Sequence, residues 1–109
     1  MDEKLDKIAE VVAKQLEFKN GFTTKFLKEA ILAIKRFDEK HSEKGFGDYA
    51  DYGPIGVMVK MSEPYNRLKT FYTSQGNHDE EKAVLDKNWM DVAVYALIGK
   101  LVSDGNWKE

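Results

Sequence analysis

The chain has 109 residues, of which 42% are apolar and 33% are charged, and its formal net charge is −2. These values predict a single globular domain with one modest core, and they exclude a disordered chain. The slightly negative charge argues against general nucleic-acid or membrane-surface binding, although a few local cations would suffice to bind a small phosphorylated ligand.

Three further features of the sequence narrow the class of protein. The absence of cysteine rules out disulfides and thiolate metal sites, and makes zinc improbable. The charged segment "MDEKLDKIAE" at the start does not resemble a signal peptide, and no window approaches eighteen uninterrupted apolar residues. We therefore expect a cytoplasmic protein that does not cross a membrane.

Apolar residues recur at helical spacing in four segments, separated by turn-forming residues. Thr23 or Thr24 is expected to cap the second helix, Ser62 the third, and Gly105 is expected to end the fourth. The predicted fold is all-α, a compact four-helix bundle in one domain, with its core at about 2–102 and a polar tail at 103–109. The predicted helices cover about 2–18, 25–41, 62–73 and 79–102.

The stretch "GFGDYADYGPIGVMVK", residues 45–60, predicts a long loop rich in glycine and tyrosine between helices two and three. Loops of this length are uncommon in compact domains, and they are usually functional or mobile. Its glycines (Gly45, Gly47, Gly53 and Gly56) would let the backbone approach a ligand, or would simply form turns. Tyr49 and Tyr52 would stack on a base or supply hydroxyl donors, or would seal the bundle as half-buried aromatics. Asp48 and Asp51 would bind magnesium, usually through water, or accept hydrogen bonds from base and ribose groups.

The fourth helix contains "WMDVAVYALIGKLV", which is apolar on nearly all sides and predicts burial on most faces. Asp91 is the one carboxylate within it, and an unpaired charge there would cost several kcal/mol, of order 3–5. Two interpretations are open. Asp91 forms an intrahelical ion pair with Lys87, aided by Asn88, or it faces a polar pocket that holds a metal or a phosphorylated ligand.

Arg67 is the best candidate for binding phosphate, because its planar guanidinium matches phosphate oxygens, and Lys60 is placed to assist it. The alternative is that Arg67 pairs with Glu63 one turn earlier. Neither His41 nor His78 has a histidine or cysteine at metal-binding spacing, and both are read as structural.

The motifs "DYG", "KMSEPYNRL" and "WMDVAVYAL" occur in this order along the chain. Together they resemble the nucleotide modification associated domain 1 family of small phage and prophage proteins. The resemblance covers roughly residues 40–101. The chain departs from that pattern at three positions, where Pro64, Lys87 and Val94 replace lysine, an acidic residue and asparagine. The matching positions are Asp51-Tyr52-Gly53, Gly56, Lys60, Glu63, Arg67-Leu68, Asp91, Ala93, Tyr95 and Ala96.

The resemblance implies a nucleotide-handling protein, and the family is itself similar to all-α NTP pyrophosphatases. Together with the residue chemistry it predicts binding of a nucleoside phosphate with Mg²⁺ and, if the protein is an enzyme, metal-assisted phosphoanhydride hydrolysis. The predicted ligand-binding residues are Asp51, Tyr52, Gly53, Lys60, Arg67 and Tyr95, and the predicted metal ligands are Asp51, Glu63 and Asp91.

The alternative function is that of a non-catalytic helical protein that binds a partner or sequesters a ligand. Trp107 would then offer a contact residue, unless it folds back on the bundle. A homodimer is consistent with either function, because four short helices alone bury limited apolar area.

Overall fold

The computed structural model describes residues 2–44, 49–74 and 82–107, with backbone only at 42–44 and 49–50. The predictions made for Gly45, Gly47, Asp48 and His78 lie outside this part of the chain. The predicted start of the fourth helix at residue 79 does so as well, and for Tyr49 the side chain is not described.

The described residues form four α-helices and no strand, which confirms the all-α prediction. α4 is the central helix, because it packs extensively against α3 and also against α2. Among the described residues α1 packs only against α2. Helix-on-helix packing therefore supports a bundle. The helices span Glu3–Gln15 (α1), Gly21–Lys44 (α2), Tyr49–Thr73 (α3) and Lys82–Ser103 (α4).

The first two helices begin at side-chain caps. The Asp2 carboxylate accepts hydrogen bonds from the backbone N–H groups of Lys4 at 2.9 Å and Leu5 at 3.4 Å. Asn20 Oδ1 accepts one from Phe22 at 2.8 Å, so α2 begins four residues earlier than predicted. The prediction of a threonine cap was wrong because the Asn20 carboxamide satisfies the free N–H group first.

The segment predicted as a long loop is helical from Tyr49 onward, and α3 is twice as long as expected. The one break is at Gly53, whose φ of 64° and ψ of −159° are not helical. Pro54 disfavours helical geometry in the residue before it and is itself well suited to a first helical turn. Gly53 therefore joins a single turn, Tyr49–Tyr52, to the main helix.

Ser62 lies inside α3 rather than at its start, and its hydroxyl donates a hydrogen bond to the carbonyl of Val59. Pro64 is buried within the same helix. Both residues are typical of helix beginnings, which explains why the sequence predicted one here. The packing of α3 on α4 outweighs these local preferences. Val57 and Leu68 are buried in that interface, and a Cβ atom at Gly99 would lie 3.5 Å from the Val57 side chain.

The described residues that follow α4 return to α2. Gly105 has a φ of 75° and ends α4 as predicted, with its N–H donating to the carbonyl of Val102. Trp107 then packs edge-on against the rings of His41 and Phe37, with centroid distances of 5.3 and 6.1 Å. Of the two possibilities for Trp107, the structure has the one in which it folds back.

The core of the described residues is small, and α4 is less buried than its sequence predicted. Trp89 and Leu97 of α4 are each 54% exposed and Leu101 is 40% exposed. The prediction of burial on most faces was wrong, because α2 and α3 cover only part of the helix surface. No helix in the described ranges has the length and apolar character needed to span a membrane. The buried apolar residues are Leu5, Ala9, Ala33, Val57, Leu68 and Ile98.

Glu17 gives a direct test of how α1 ends. It lies just beyond the helix with a φ of 54°, a left-handed conformation that costs a non-glycine residue about 1–2 kcal/mol. Glycine would remove this strain, but part of the gain in stability is offset because glycine has more conformational freedom in the unfolded chain. We expect Glu17→Gly to raise the free energy of unfolding by about 0.5–1 kcal/mol and the melting temperature by about 4 °C.

Gly105 occupies the equivalent position after α4 and is the matched control. Gly105→Ala should lower the free energy of unfolding by about 1 kcal/mol. Thermal melts followed by circular dichroism measure both changes, and equal signs for the two substitutions would contradict this account of the helix ends.

Candidate functional site

Asp91 is held from the neighbouring helix α2. Arg36 Nε donates to Asp91 Oδ1 at 2.7 Å, and Arg36 Nη2 lies 3.4 Å from Oδ2, so the guanidinium engages both oxygens. Lys40 Nζ, one turn further along α2, lies 3.9 Å from Oδ1. Among the ion pairs of the described residues, Lys87 is not a partner of Asp91. The carboxylate is therefore neutralised across a helix interface and not within its own helix.

Asn88 lies one turn before Asp91 and is 5% exposed. Its carboxamide oxygen is 3.3 Å from Nη1 of Arg67 on α3, which donates to it. Its amide nitrogen donates to the carbonyl of Val84 at 3.1 Å. Both ends of the buried carboxamide are thus satisfied, as burial requires. The alternative partner of Arg67, Glu63, is not paired with it in the described part of the chain.

Residues 36, 40, 67, 88 and 91 form what we call the polar cluster. Asn88 and Asp91 share one face of α4, and cations reach them from two different helices. Three cations and one carboxylate leave the cluster with a net charge of about +2. The cations are accessible at its rim, because the Arg36 and Lys40 side chains are 28% and 43% exposed and Arg67 is an exposed residue.

The structure unites only part of the predicted site. Arg67 and Asp91 belong to the polar cluster, and Tyr95 lies half-buried on α4 one turn beyond Asp91. Gly53 lies fourteen residues before Arg67 on α3, about 20 Å along a helix axis, so the two do not meet. The remaining predicted residues are exposed side chains of α3: Asp51, Tyr52, Lys60 and Glu63.

The described residues contain no preformed cluster of side-chain ligands for magnesium. Within the described ranges, no three His, Cys, Asp or Glu side chains are close enough together to hold a metal ion. Both Asp91 oxygens face Arg36, and Asp51 and Glu63 are exposed on another helix. As arranged here, the three carboxylates do not fit a shared ion. Magnesium binding stays a prediction.

Arg36 and Lys40 are the residues that the sequence reasoning missed. The spacing within α4 indicates only Lys87 and Asn88 as partners of Asp91. The available signal was the i, i+4 spacing of two cations beside the apolar residues Ala33 and Phe37 of α2. An acid in an apolar helix requires a cation, and a pair of cations bordering an apolar face is a natural source of it.

Comparison with protein-family models, with curated proteins and with solved structures gave no match to this chain. The resemblance of its short motifs to the nucleotide modification associated domain 1 family therefore stays a prediction from sequence.

Proposed function

We propose that this chain binds a nucleoside phosphate, and that the phosphate groups contact Arg36, Lys40 and Arg67 at the rim of the polar cluster. The observation that carries this proposal is the excess of cations around two buried polar residues of α4. One cation is enough to balance the charge of the Asp91 carboxylate. Arg36 already provides it, at 2.7 Å compared with 3.9 Å for Lys40. Lys40 and Arg67 therefore add positive charge to the polar cluster beyond the one cation that Asp91 needs.

The geometry of Arg36 favours such a role. Its Nε and Nη2 are engaged by Asp91, which fixes the plane of the guanidinium. A donor group held in this way loses less side-chain entropy when it binds a second anion. Phosphate oxygens accept from guanidinium and ammonium groups through short, charge-assisted hydrogen bonds. The predicted contacts of Tyr95 with the ligand and of Lys60 with the phosphates belong to the same proposal. Tyr52 does not, because it lies next to Gly53 and therefore about 20 Å from Arg67 along α3.

A nucleotide panel in thermal melts tests the proposal. Each deoxynucleoside triphosphate, and inorganic pyrophosphate, is added with and without Mg²⁺. A ligand present at one hundred times its Kd should stabilise the folded chain by about 2.7 kcal/mol and raise its melting temperature by about 10 °C. Lys40→Met and Arg67→Met should each reduce this shift by more than half, since each removes a charge-assisted contact.

Lys35→Met is the matched control, because Lys35 is an exposed lysine of the same helix as Lys40. It should leave the shift unchanged. The proposal fails if no nucleotide raises the melting temperature, or if the control reduces the shift as much as Lys40→Met does. A pyrophosphate-release assay on the stabilising nucleotide then separates an enzyme from a binding protein.

The alternative, a helical interaction protein, is favoured by a different observation. Large apolar side chains are exposed on several helices, among them Phe22 at 73% and Phe26 at 79% on α2 and Ile55 at 67% on α3. Exposed apolar surface on this scale commonly marks contact with another molecule.

A further inference from the structure

The outer face of α4, centred on Ala93, lies on the far side of the helix from the buried residues Asn88 and Asp91, and its apolar centre is exposed although Trp89 at its edge contacts Tyr72 of α3. Trp89 and Leu97 are each 54% exposed, and Ala93 and Ala96 between them are exposed too. Trp89 Nε1 donates to the hydroxyl of Tyr72 at 3.3 Å, which orients its ring at the surface. A helix with apolar residues all round is normally covered on every side.

The accessible surface of the chain is large for its mass. It measures 8444 Å², whereas a compact monomer of 12.5 kDa exposes about 6,200 Å². The radius of gyration is 16.1 Å, against about 13 Å for a compact domain of this length. A standard interface buries about 800 Å² on each partner. The excess of about 2,200 Å² is therefore more than enough to supply one interface.

Charged pairs flank the apolar centre at both ends. Lys82 binds Asp86 at 2.8 Å near the start of α4, and Lys100 binds Asp104 at its end. The outer-face residues are spaced symmetrically about Ala93, at intervals of four, three and four residues in each direction. They are Lys82, Asp86, Trp89, Ala93, Leu97, Lys100 and Asp104.

This symmetry has a consequence for two antiparallel copies of α4 that cross at Ala93. Lys82 then faces Asp104 of the second copy, and Asp86 faces its Lys100. Trp89 meets Leu97 of the second copy, and the small side chain of Ala93 lets the helices approach closely. A two-fold axis makes each contact occur twice, as in isologous dimers. Opposite charges meet at both ends of the apolar centre.

We propose that the outer face of α4 binds the same face of a second copy of this chain, antiparallel, with the two-fold axis at Ala93. Trp89, held by Tyr72, supplies the aromatic anchor typical of interface centres. The charged ends fix the register, because shifting the copies by one helical turn would lose the opposite-charge contacts.

Reversing the charges of one ion pair of α4, either Lys82 with Asp86 or Lys100 with Asp104, tests both the identity of the partner and the register of the two helices. The variant K82E/D86K keeps its intrahelical ion pair but places like charges opposite each other in the dimer. K100E/D104K does the same at the other end. We expect the native chain to form a dimer of twice 12.5 kDa in light scattering, and each variant to weaken dimerisation at least about tenfold in Kd.

Mixing the two variants should restore dimerisation, because every cross-chain contact then joins opposite charges. The chain that carries all four substitutions should dimerise alone for the same reason. Circular dichroism melts confirm that each variant is folded. A native chain that is monomeric at every concentration overturns the proposal, as does a K82E/D86K variant that dimerises as tightly as the native chain.

Ala93→Cys provides an independent check, because the native chain has no cysteine. On the two-fold axis the two thiols would be close enough to form a disulfide under mild oxidation. Glu10→Cys, an exposed position on α1, is the matched control. Rapid cross-linking at 93 and not at 10 is expected, and equal rates would contradict the two-fold axis at Ala93.

Discussion

Arg36→Met is expected to lower the free energy of unfolding by about 3 kcal/mol and the melting temperature by about 12 °C. The substitution keeps the length of the side chain but leaves Asp91 with Lys40 alone, at 3.9 Å. Asp91 is only 9% exposed, so water cannot replace the lost contacts fully. Chemical denaturation with urea measures the change.

The double variant Arg36→Met/Asp91→Leu separates the value of the ion pair from the cost of an unpaired charge. Replacing both charges by apolar groups should recover stability to within about 1 kcal/mol of the native chain. The control is Asp6→Asn, which breaks the more exposed ion pair of Lys28 with Asp6 between α1 and α2, at 2.9 Å. Its loss should stay below about 1 kcal/mol. A larger loss for Asp6→Asn than for Arg36→Met would refute the role assigned to burial.

Gly53→Ala should lower the free energy of unfolding by about 2 kcal/mol, within the range for a strained backbone residue. The combination of φ 64° and ψ −159° is one that essentially only glycine adopts. A Cβ atom there would meet no neighbour within 4 Å, so the whole effect comes from the backbone and not from crowding. Thermal and urea unfolding both report it.

Gly21 is the matched control for this substitution. A Cβ atom at Gly21 also meets nothing within 4 Å, but the residue begins α2 and has no positive φ. Gly21→Ala should therefore change stability by less than about 0.5 kcal/mol, in the stabilising direction. If both alanines have the same effect, the kink does not depend on a left-handed residue.

The sequence predicted the helices that have a clear amphipathic pattern and failed where helix signals conflict. α1 and α2 carry such a pattern, and both were predicted to within a few residues. The predicted third helix had only half the length of α3, because Gly53, Pro54 and Pro64 are residues that usually interrupt helices. Its packing against α4 outweighs those local preferences, and packing of this kind cannot be read from one segment alone.

The candidate site was predicted in part for a similar reason. Asp91 and Arg67 stood out as charged groups among apolar or aromatic neighbours, and both belong to the polar cluster. Arg36 is separated from Asp91 by 55 residues, so its role depends on how α2 docks on α4. Hydrophobic periodicity predicts which face of a helix is buried, but it does not predict which other helix packs against that face.

The polar cluster exists only when α2, α3 and α4 are docked together, since the arginine partners of Asp91 and Asn88 are 55 and 21 residues away in sequence. An anion bound there would stabilise only the docked state of the three helices, so these helices would unfold together in one cooperative step. α1 lies outside that linkage, because it touches only α2 among the described residues. We expect its amide protons to exchange earliest, through local opening that leaves a bound anion in place, and faster exchange from α4 would argue against this order.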